Sequence, residues 1–585
     1  MNSIGKQLTV IKDYTKHIVT ALCVLISLFQ GGFAESIWAL VGILASIVLF
    51  FKSRNRFATP VLVFAAMLIA VYAVALIYHG LSFEALASMN RLLVIILLLF
   101  AFCNMDFDIY DMLFVTGLVV AAIGFAAFST IVPWQGAVVS RRLQSVFQYA
   151  NATGLFLGVA AFMTHQQEKR KSYAIVLEAA MLLTQSVGAI VIYIAGWIIY
   201  ALKNKKETQF RYFLCSFAVS LFSAALAFAL VYYVNIPFLG ILPPALAFVF
   251  RKKIKHMIDA VCQRKFVIWA GIGVSPVLII VLFFTRGLRP IATYLERLIQ
   301  IADGVGVMLR YPLGLGPGSW RFFYPEYQSA PYSVSKIHNE YIALGVNAGF
   351  FVLVPIVLLL IYWFKHQKWD DKSICLAIIL VHAFMDIPFS FLLLLVIAIM
   401  LLVDTLPQSE TAIKPLTQIH LTWRFIFVIP LALSLLVLVQ TVIINQAAWR
   451  AEDGELQVAA EMLDSRPIQQ DNEAVLTQMA LHLSLGQHEQ VESVFVTLSR
   501  PNAMAYYIRA LSFLARADYY EAISKTFISL ELSPHNVRGF ELAERIIPHL
   551  SQEQQVLYRE MFSAFYMNLS VNPLYTYIEI LQGGG

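Results

Sequence analysis

Charged side chains are scarce in this 585-residue chain. They make up 13% of it, against 59% hydrophobic residues, and the mean hydropathy is +0.72. Soluble chains carry roughly a quarter charged residues, so this scarcity excludes an ordinary soluble protein. Cysteine is also sparse. Cys23, Cys103, Cys215, Cys262 and Cys375 are scattered, mostly in or beside apolar segments, with no Cys-x-x-Cys pair. That excludes a disulfide framework and a zinc site and leaves the thiols as apolar fillers. Period-two alternation is missing from the apolar runs, which excludes a membrane β-barrel. The basic lead of Lys6, Lys12 and Lys16 precedes an apolar run without a small-residue cleavage site. It reads as a first span and not as a cleaved signal.

The chain does contain long apolar runs. They centre on 14–31, 36–51, 59–79, 90–104, 109–132, 149–164, 173–186, 188–202, 211–233, 236–250, 266–285, 341–364, 373–386, 389–404 and 424–445. A full span needs about 20 apolar residues, so the shorter runs are tilted, re-entrant or half-helices. The expected fold is all-α and polytopic, with 13 to 15 membrane helices in residues 1–445. Basic clusters at Lys52–Arg56, Lys169–Lys171, Lys203–Arg211, Arg251–Lys265 and Lys365–Lys372 fall on the side of the N-terminus by this count. The positive-inside rule makes that side cytoplasmic. Residues 286–339 and everything after the last span then face outward.

The outward segment 286–339 is the expected seat of chemistry. It is read as a long polar loop holding Arg286, Arg289, Arg297, Arg310, Arg321 and Lys336 against Glu296, Asp303 and Glu326. Ordinary salt bridging in a translocated loop is one account of these charges. A phosphate cradle is the other, because arginine offers phosphoryl oxygens a planar fork of donors. Gly314, Gly316 and Gly318 allow sharp turns or close approach to a ligand, and His338-Asn339-Glu340-Tyr341 follows. The segment has no Asp-x-Asp, no His-x-x-x-His and no carboxylate pair. Arginines and not a metal ion are therefore expected to balance phosphate charge, and no cofactor is expected.

Polar residues at membrane depth mark the same region. Arg141 and Arg142 precede a span, and Asn151 stands nine residues after Arg142. Gln185 and Ser186 interrupt the apolar stretch 174–201, and His382 and Asp386 are spaced i, i+4. Intramembrane ionisable groups usually line a cavity. For His382 and Asp386 a mutually satisfied structural pair is the plainer account, and for Asn151 an interhelical hydrogen bond.

Four blocks carry a resemblance. Arg142-Leu-Gln-Ser-Val-Phe147-Gln-Tyr-Ala-Asn151 and Leu183-Thr-Gln-Ser186-Val-Gly-Ala189 are the first two. The segment Arg297–Trp320 and His338-Asn339 with Gly349 are the others, followed by His382-x-x-x-Asp386. Their order resembles the O-antigen ligase and polymerase superfamily, bacterial inner-membrane enzymes that transfer glycans from undecaprenyl pyrophosphate. Val187 stands where the family has an arginine, and Val352 where it has a second glycine. Arg142 or Arg289 is the candidate to replace that arginine.

The resemblance implies an inverting glycosyltransferase acting on the outer face, either ligase-like or a protein O-oligosaccharyltransferase. A polysaccharide polymerase is the alternative, and a lipid-linked glycan transporter a further one. It implies His338, Arg297 and Arg289 as catalytic residues. Arg142, Asn151, Gly316, Gly318, Arg321, Asn339, His382 and Asp386 would bind substrate. Partners would be a lipid-linked glycan donor, a glycan, lipid or protein acceptor, and the lipid bilayer, with no nucleic acid.

Composition turns polar near Gln446. Residues 446–582 read as helix pairs, and Ala505–Pro534 has the period of a tetratricopeptide repeat, with a weaker copy around 481–498. Such repeats present a concave surface to a protein partner. Gly583-Gly584-Gly585 reads as an added tail and is excluded from fold reasoning.

Overall fold

The computed structural model describes residues 2–51, 59–264, 266–267, 289–406 and 424–567, with 569, 572–575 and 578 near the end. Their regular secondary structure is helical, apart from one hairpin of two short strands. The first half runs α1 (Asn2–Leu28), α2 (Glu35–Phe51), α3 (Thr59–His79), α4 (Phe83–Phe102), α5 (Ile109–Phe128), β1 (Val138–Val139), β2 (Arg142–Leu143), α6 (Ala150–His165), α7 (Ala174–Leu183), α8 (Val187–Asn204), α9 (Glu207–Tyr232), α10 (Leu242–Val249) and α11 (Arg251–Val261). It continues through α12 (Arg289–Arg310), α13 (Trp320–Phe323), α14 (Glu340–Ala348), α15 (Leu353–His366), α16 (Asp371–His382), α17 (Leu392–Thr405) and α18 (Val428–Glu452). Among the described residues, six helices are long and apolar enough to cross a membrane. They are α3, α4, α5, α8, α9 and the one running Phe425–Glu452. The apolar run 266–285 lies outside the described residues.

The core is built on helices that are apolar all round, as burial on every side requires. Every residue of α6 except Asn151 is buried, and so is every residue of α7. At 1.5 Å per residue, the ten residues of α7 cover about 15 Å, half a bilayer. The chain breaks at Thr184-Gln185-Ser186 and resumes in α8. Glu178 in the middle of α7 is fully buried. It accepts from Tyr193 OH (2.7 Å), Ser216 Oγ (3.0 Å) and Ser220 Oγ (2.8 Å), and His165 Nε2 lies 2.9 Å from it. One carboxylate thus ties α6, α7, α8 and α9 together.

Three expectations are corrected. Segment 286–339 is not one loop: Arg289–Arg310 is helix, because Ala292, Ile299 and Val307 recur at helical spacing and are buried. Helix α4 starts at Phe83, well before the apolar run at 90. The polar residues of its first half are held by packing partners, with Ser434 Oγ donating to Asn90 Oδ1 (2.7 Å) and Asn472 N–H donating to Glu84 Oε1 (2.8 Å). The run 341–364 is split at Gly349 between α14 and α15.

Beyond α18, seven short helices follow: α19 (Leu456–Asp464), α20 (Asn472–Ser484), α21 (His488–Phe495), α22 (Ala503–Ala515), α23 (Tyr519–Leu532), α24 (Val537–Ile546) and α25 (Gln552–Met567). Successive helices pack side by side, α22 along α23 most extensively. Their own apolar clusters centre on Ala522, Ile523 and Leu542 and on Val475, Met479 and Val491. This layer sits against residues 311–339 through Arg321–Glu473 (2.9 Å) and Arg500–Glu326 (2.5 Å).

Candidate functional site

The β1–β2 hairpin places the first residue. Val139 pairs with Arg142, so Ser140 and Arg141 form a two-residue turn, and both have positive φ (51° and 61°). A twisted hairpin of this length needs that geometry. Ser145 (φ 48°), Gln148 (φ 53°) and Gln185 (φ 51°) lie nearby in the same strained region. Strain of this kind gathers where a fold holds side chains for function.

Arg142 donates from Nε to the Thr184 carbonyl (3.0 Å) and from Nη2 to Asn151 Oδ1 (2.9 Å). Ser186 Oγ donates to the same Asn151 oxygen (3.0 Å). Two donors on Oδ1 fix the amide orientation and turn Nδ2 to Asp386 Oδ2 (2.6 Å). Asp386 is the hub. It also accepts from Tyr149 OH (2.5 Å) and Ile387 N–H (2.9 Å), and Arg297 Nη2 lies 3.1 Å from Oδ2. Arg297 Nη1 donates to the Met385 carbonyl (2.5 Å). Only one amide and one carboxylate therefore stand between the guanidinium groups of Arg142 and Arg297.

His338 adjoins this hub. Its Nδ1 is 3.0 Å from Gln300 Oε1, and its backbone N–H donates to that oxygen at 3.3 Å. Burial holds its pKa below the usual histidine value; Asp386 opposes that shift and Arg297 adds to it. His382 is buried at the end of α16, and its Nδ1 has no hydrogen-bond partner among the described residues. It is therefore not a satisfied partner of Asp386. Arg297 Nε is likewise buried and unpartnered among the described residues. Buried donors and acceptors are nearly always satisfied, so two orphans at one place suit a ligand or ordered water.

Several expected site residues stand elsewhere or serve the fold. Asn339 caps α14 with Oδ1, accepting from Tyr341 and Ile342 N–H, and donates to the Phe384 carbonyl (2.9 Å). It thus staples the histidine segment to the end of α16. Arg321 pairs with Glu473, outside the cluster. Gly318 has φ +77°, and a Cβ there would stand 2.8 Å from Glu84 Cβ; Gly316 packs against His79. In this structure the glycine run makes sharp turns and close packing contacts. Arg289 opens α12, and its side chain lies outside the described residues.

Sequence reasoning passed over Tyr149 and Gln300, and it counted Lys336 among the loop charges without pairing it with Ser390 or Glu340. Lys336 Nζ donates to Ser390 Oγ (3.1 Å) and lies over the Phe33 ring (4.8 Å). Ser390 N–H donates to Glu340 (3.0 Å). Burial lowers the Lys336 pKa and raises that of Glu340, while their mutual attraction opposes both shifts. The available signal was the alternation of Lys336, His338 and Glu340 along one segment. A cavity of about 660 Å³ lies apart, between Glu326–Ser329 and Phe527, His535 and Phe565. It contains none of the cluster's cationic groups.

The ends of several broken helices meet at the hub: α6 and α8 begin there, at Asn151 and Ser186, and α7 and α16 end there, before Thr184 and Asp386. Helix N-termini carry partial positive charge. With two guanidinium groups, the arrangement can hold a bridging anion, and an imidazole beside it can move a proton. No protein family, curated protein or solved structure matches this chain.

Proposed function

We propose that the chain is a membrane glycosyltransferase that passes a glycan from undecaprenyl pyrophosphate to an acceptor hydroxyl. The observation that carries this reading is the convergence of Arg142, Asn151, Ser186, Arg297, His338 and Asp386. They come from blocks far apart in sequence: Arg142, Asn151, Ser186, Arg297 and Asp386 meet in one hydrogen-bonded cluster at helix ends, and His338, held by Gln300, stands beside it. Arg142 stands beside Ser186, where the superfamily resemblance called for an arginine that Val187 does not supply. Arg142 and Arg297 bind the pyrophosphate and stabilise its growing charge. His338 takes the proton of the attacking hydroxyl. The new bond forms from that oxygen to the anomeric carbon as the bond from carbon to phosphate oxygen breaks. The electron pair leaves with the pyrophosphate, and the anomeric centre inverts. The acceptor is a lipid-anchored sugar, a protein side chain or a growing glycan, three versions of one reaction.

Asp386 already accepts four bonds, so a cation would have to displace Arg297. Transfer is therefore expected in detergent with EDTA present. In that assay His338→Ala lowers turnover by about 10² or more, the usual scale for an acid–base residue, while donor binding persists. Loss of wild-type transfer on EDTA treatment, restored by magnesium, would overturn the arginine-only reading. Wild-type turnover in a folded His338→Ala protein would remove His338 from the chemistry.

The site faces the outer side of the inner membrane in this reading, as the basic loops require. The helices after α18 then form an extracytoplasmic, tetratricopeptide-like layer. Tyr520 is exposed on it (54%). An impermeant thiol reagent should label Tyr520→Cys on intact cells, permeabilised at the wall where needed. Labelling only after lysis would place the layer in the cytoplasm and reverse the topology.

A further inference from the structure

We propose that Gln300, itself held by Glu296, is a positioning residue that fixes the tautomer of His338 and leaves Nε2 as the proton acceptor. For the reaction this rests on the glycan-transfer reading. For the tautomer it rests on geometry alone.

Gln300 lies on α12, one turn after Glu296 and three residues after Arg297, and is buried (1%). A terminal amide can point either way, so its orientation must be argued from its partners. Both ends decide it here. The atom assigned as Nε2 lies 3.1 Å from Glu296 Oε1, and an ionised carboxylate only accepts. The atom assigned as Oε1 receives the backbone N–H of His338 at 3.3 Å, and that group only donates. The two constraints agree. The amide oxygen therefore faces the imidazole, and the 3.0 Å contact to Nδ1 is a hydrogen bond only if Nδ1 carries the proton. A neutral imidazole has one donor and one acceptor nitrogen, so the lone pair is on Nε2. Nε2 makes no hydrogen bond among the described residues, and His338 keeps partial exposure.

The charged groups around the ring come from three elements. Helix α12 presents Arg297 and Glu296. The end of α16 and the turn after it present His382 and Asp386. The ring's own segment carries Lys336 and Glu340. Burial raises the pKa of Glu296, so this hold weakens on protonation; the backbone N–H of His338, which only donates, keeps the amide oxygen toward the ring independently. In the transfer step the acceptor O–H proton goes to Nε2 while Nδ1 keeps its own. The imidazolium then donates from Nδ1 to a neutral amide. A carboxylate at position 300 would hold the imidazolium more firmly.

The test uses the full-length protein in detergent. Diethyl pyrocarbonate modifies unprotonated imidazole, and peptide mass spectrometry reads its reaction at His338 from about pH 5 to 8. Gln300→Glu places a negative charge on the Nδ1 side. The modification midpoint should rise by about one unit, and the acid limb of the transfer profile should rise with it. Gln300→Leu removes the acceptor and frees the tautomer, and transfer should fall on the order of tenfold. An unmoved midpoint in folded Gln300→Glu would overturn the positioning role, whatever the fate of the leucine variant. A shifted midpoint in a protein that transfers no glycan would support the role of Gln300 and overturn the glycan-transfer reading.

Discussion

On the proposed reading, Arg297→Ala should remove nearly all transfer, and Arg297→Lys should recover only a fraction of it. One edge of the guanidinium holds Asp386 and the Met385 carbonyl, while Nε is buried without a partner among the described residues. A lysine ammonium keeps the charge but not the planar fork, so it cannot serve the carboxylate, the carbonyl and a phosphoryl oxygen together. Loss of a preorganised charge stabiliser costs roughly 10²–10³ in rate. Alanine has a second effect. It strips the cation from a carboxylate that is 1% exposed, and breaking a buried pair in this way costs about 3–5 kcal/mol. The alanine variant should therefore lose thermal stability as well as activity, and lysine should keep most of the stability. Transfer assays and unfolding in detergent, at matched protein levels, separate the two. A lysine variant with wild-type turnover would assign Arg297 to holding Asp386 alone and leave the phosphate to Arg142.

The second large effect falls on stability. Glu178→Ala should destabilise the membrane domain by about 3–5 kcal/mol, read as a lower unfolding temperature in detergent. The carboxylate is the common acceptor for Tyr193, Ser216 and Ser220 and the partner of His165. Deleting it leaves those groups in an apolar surround, each at the cost of an unmade bond. Glu178→Gln should fall between, since one oxygen remains but an NH₂ faces donors. Glu178 is six residues, about 9 Å, along the helix from Thr184, so turnover per folded molecule should hold. An alanine variant that unfolds with the wild type would show the network to be energetically neutral. A folded one without turnover would make Glu178 part of the site.

Sequence alone determined much of what is local. The apolar runs at 109–132, 149–164 and 188–202 became α5, α6 and α8, because an apolar stretch resolves its backbone polarity within a single helix. The break at Gln185-Ser186 was legible too, since polar residues there interrupt an otherwise continuous run. The blocks around Arg142, Asn151 and Asp386 could be singled out because polar groups at membrane depth are costly and stand out against their surroundings, and His338 because it closes the arginine-rich outward segment. The helix at Arg289–Arg310 was missed because its density of arginine masked the helical spacing of Ala292, Ile299 and Val307. Only the tertiary structure could decide partners. Whether Arg297 pairs with its neighbours Glu296 or Asp303, or with Asp386, depends on where two helices far apart in sequence come together. The same holds for the glycines, whose close approach to Glu84 and Asn347 is a matter of packing. Gln300 carried no signal of its own. A neutral amide on a helix is unremarkable until folding puts an imidazole on one end of it and a carboxylate on the other.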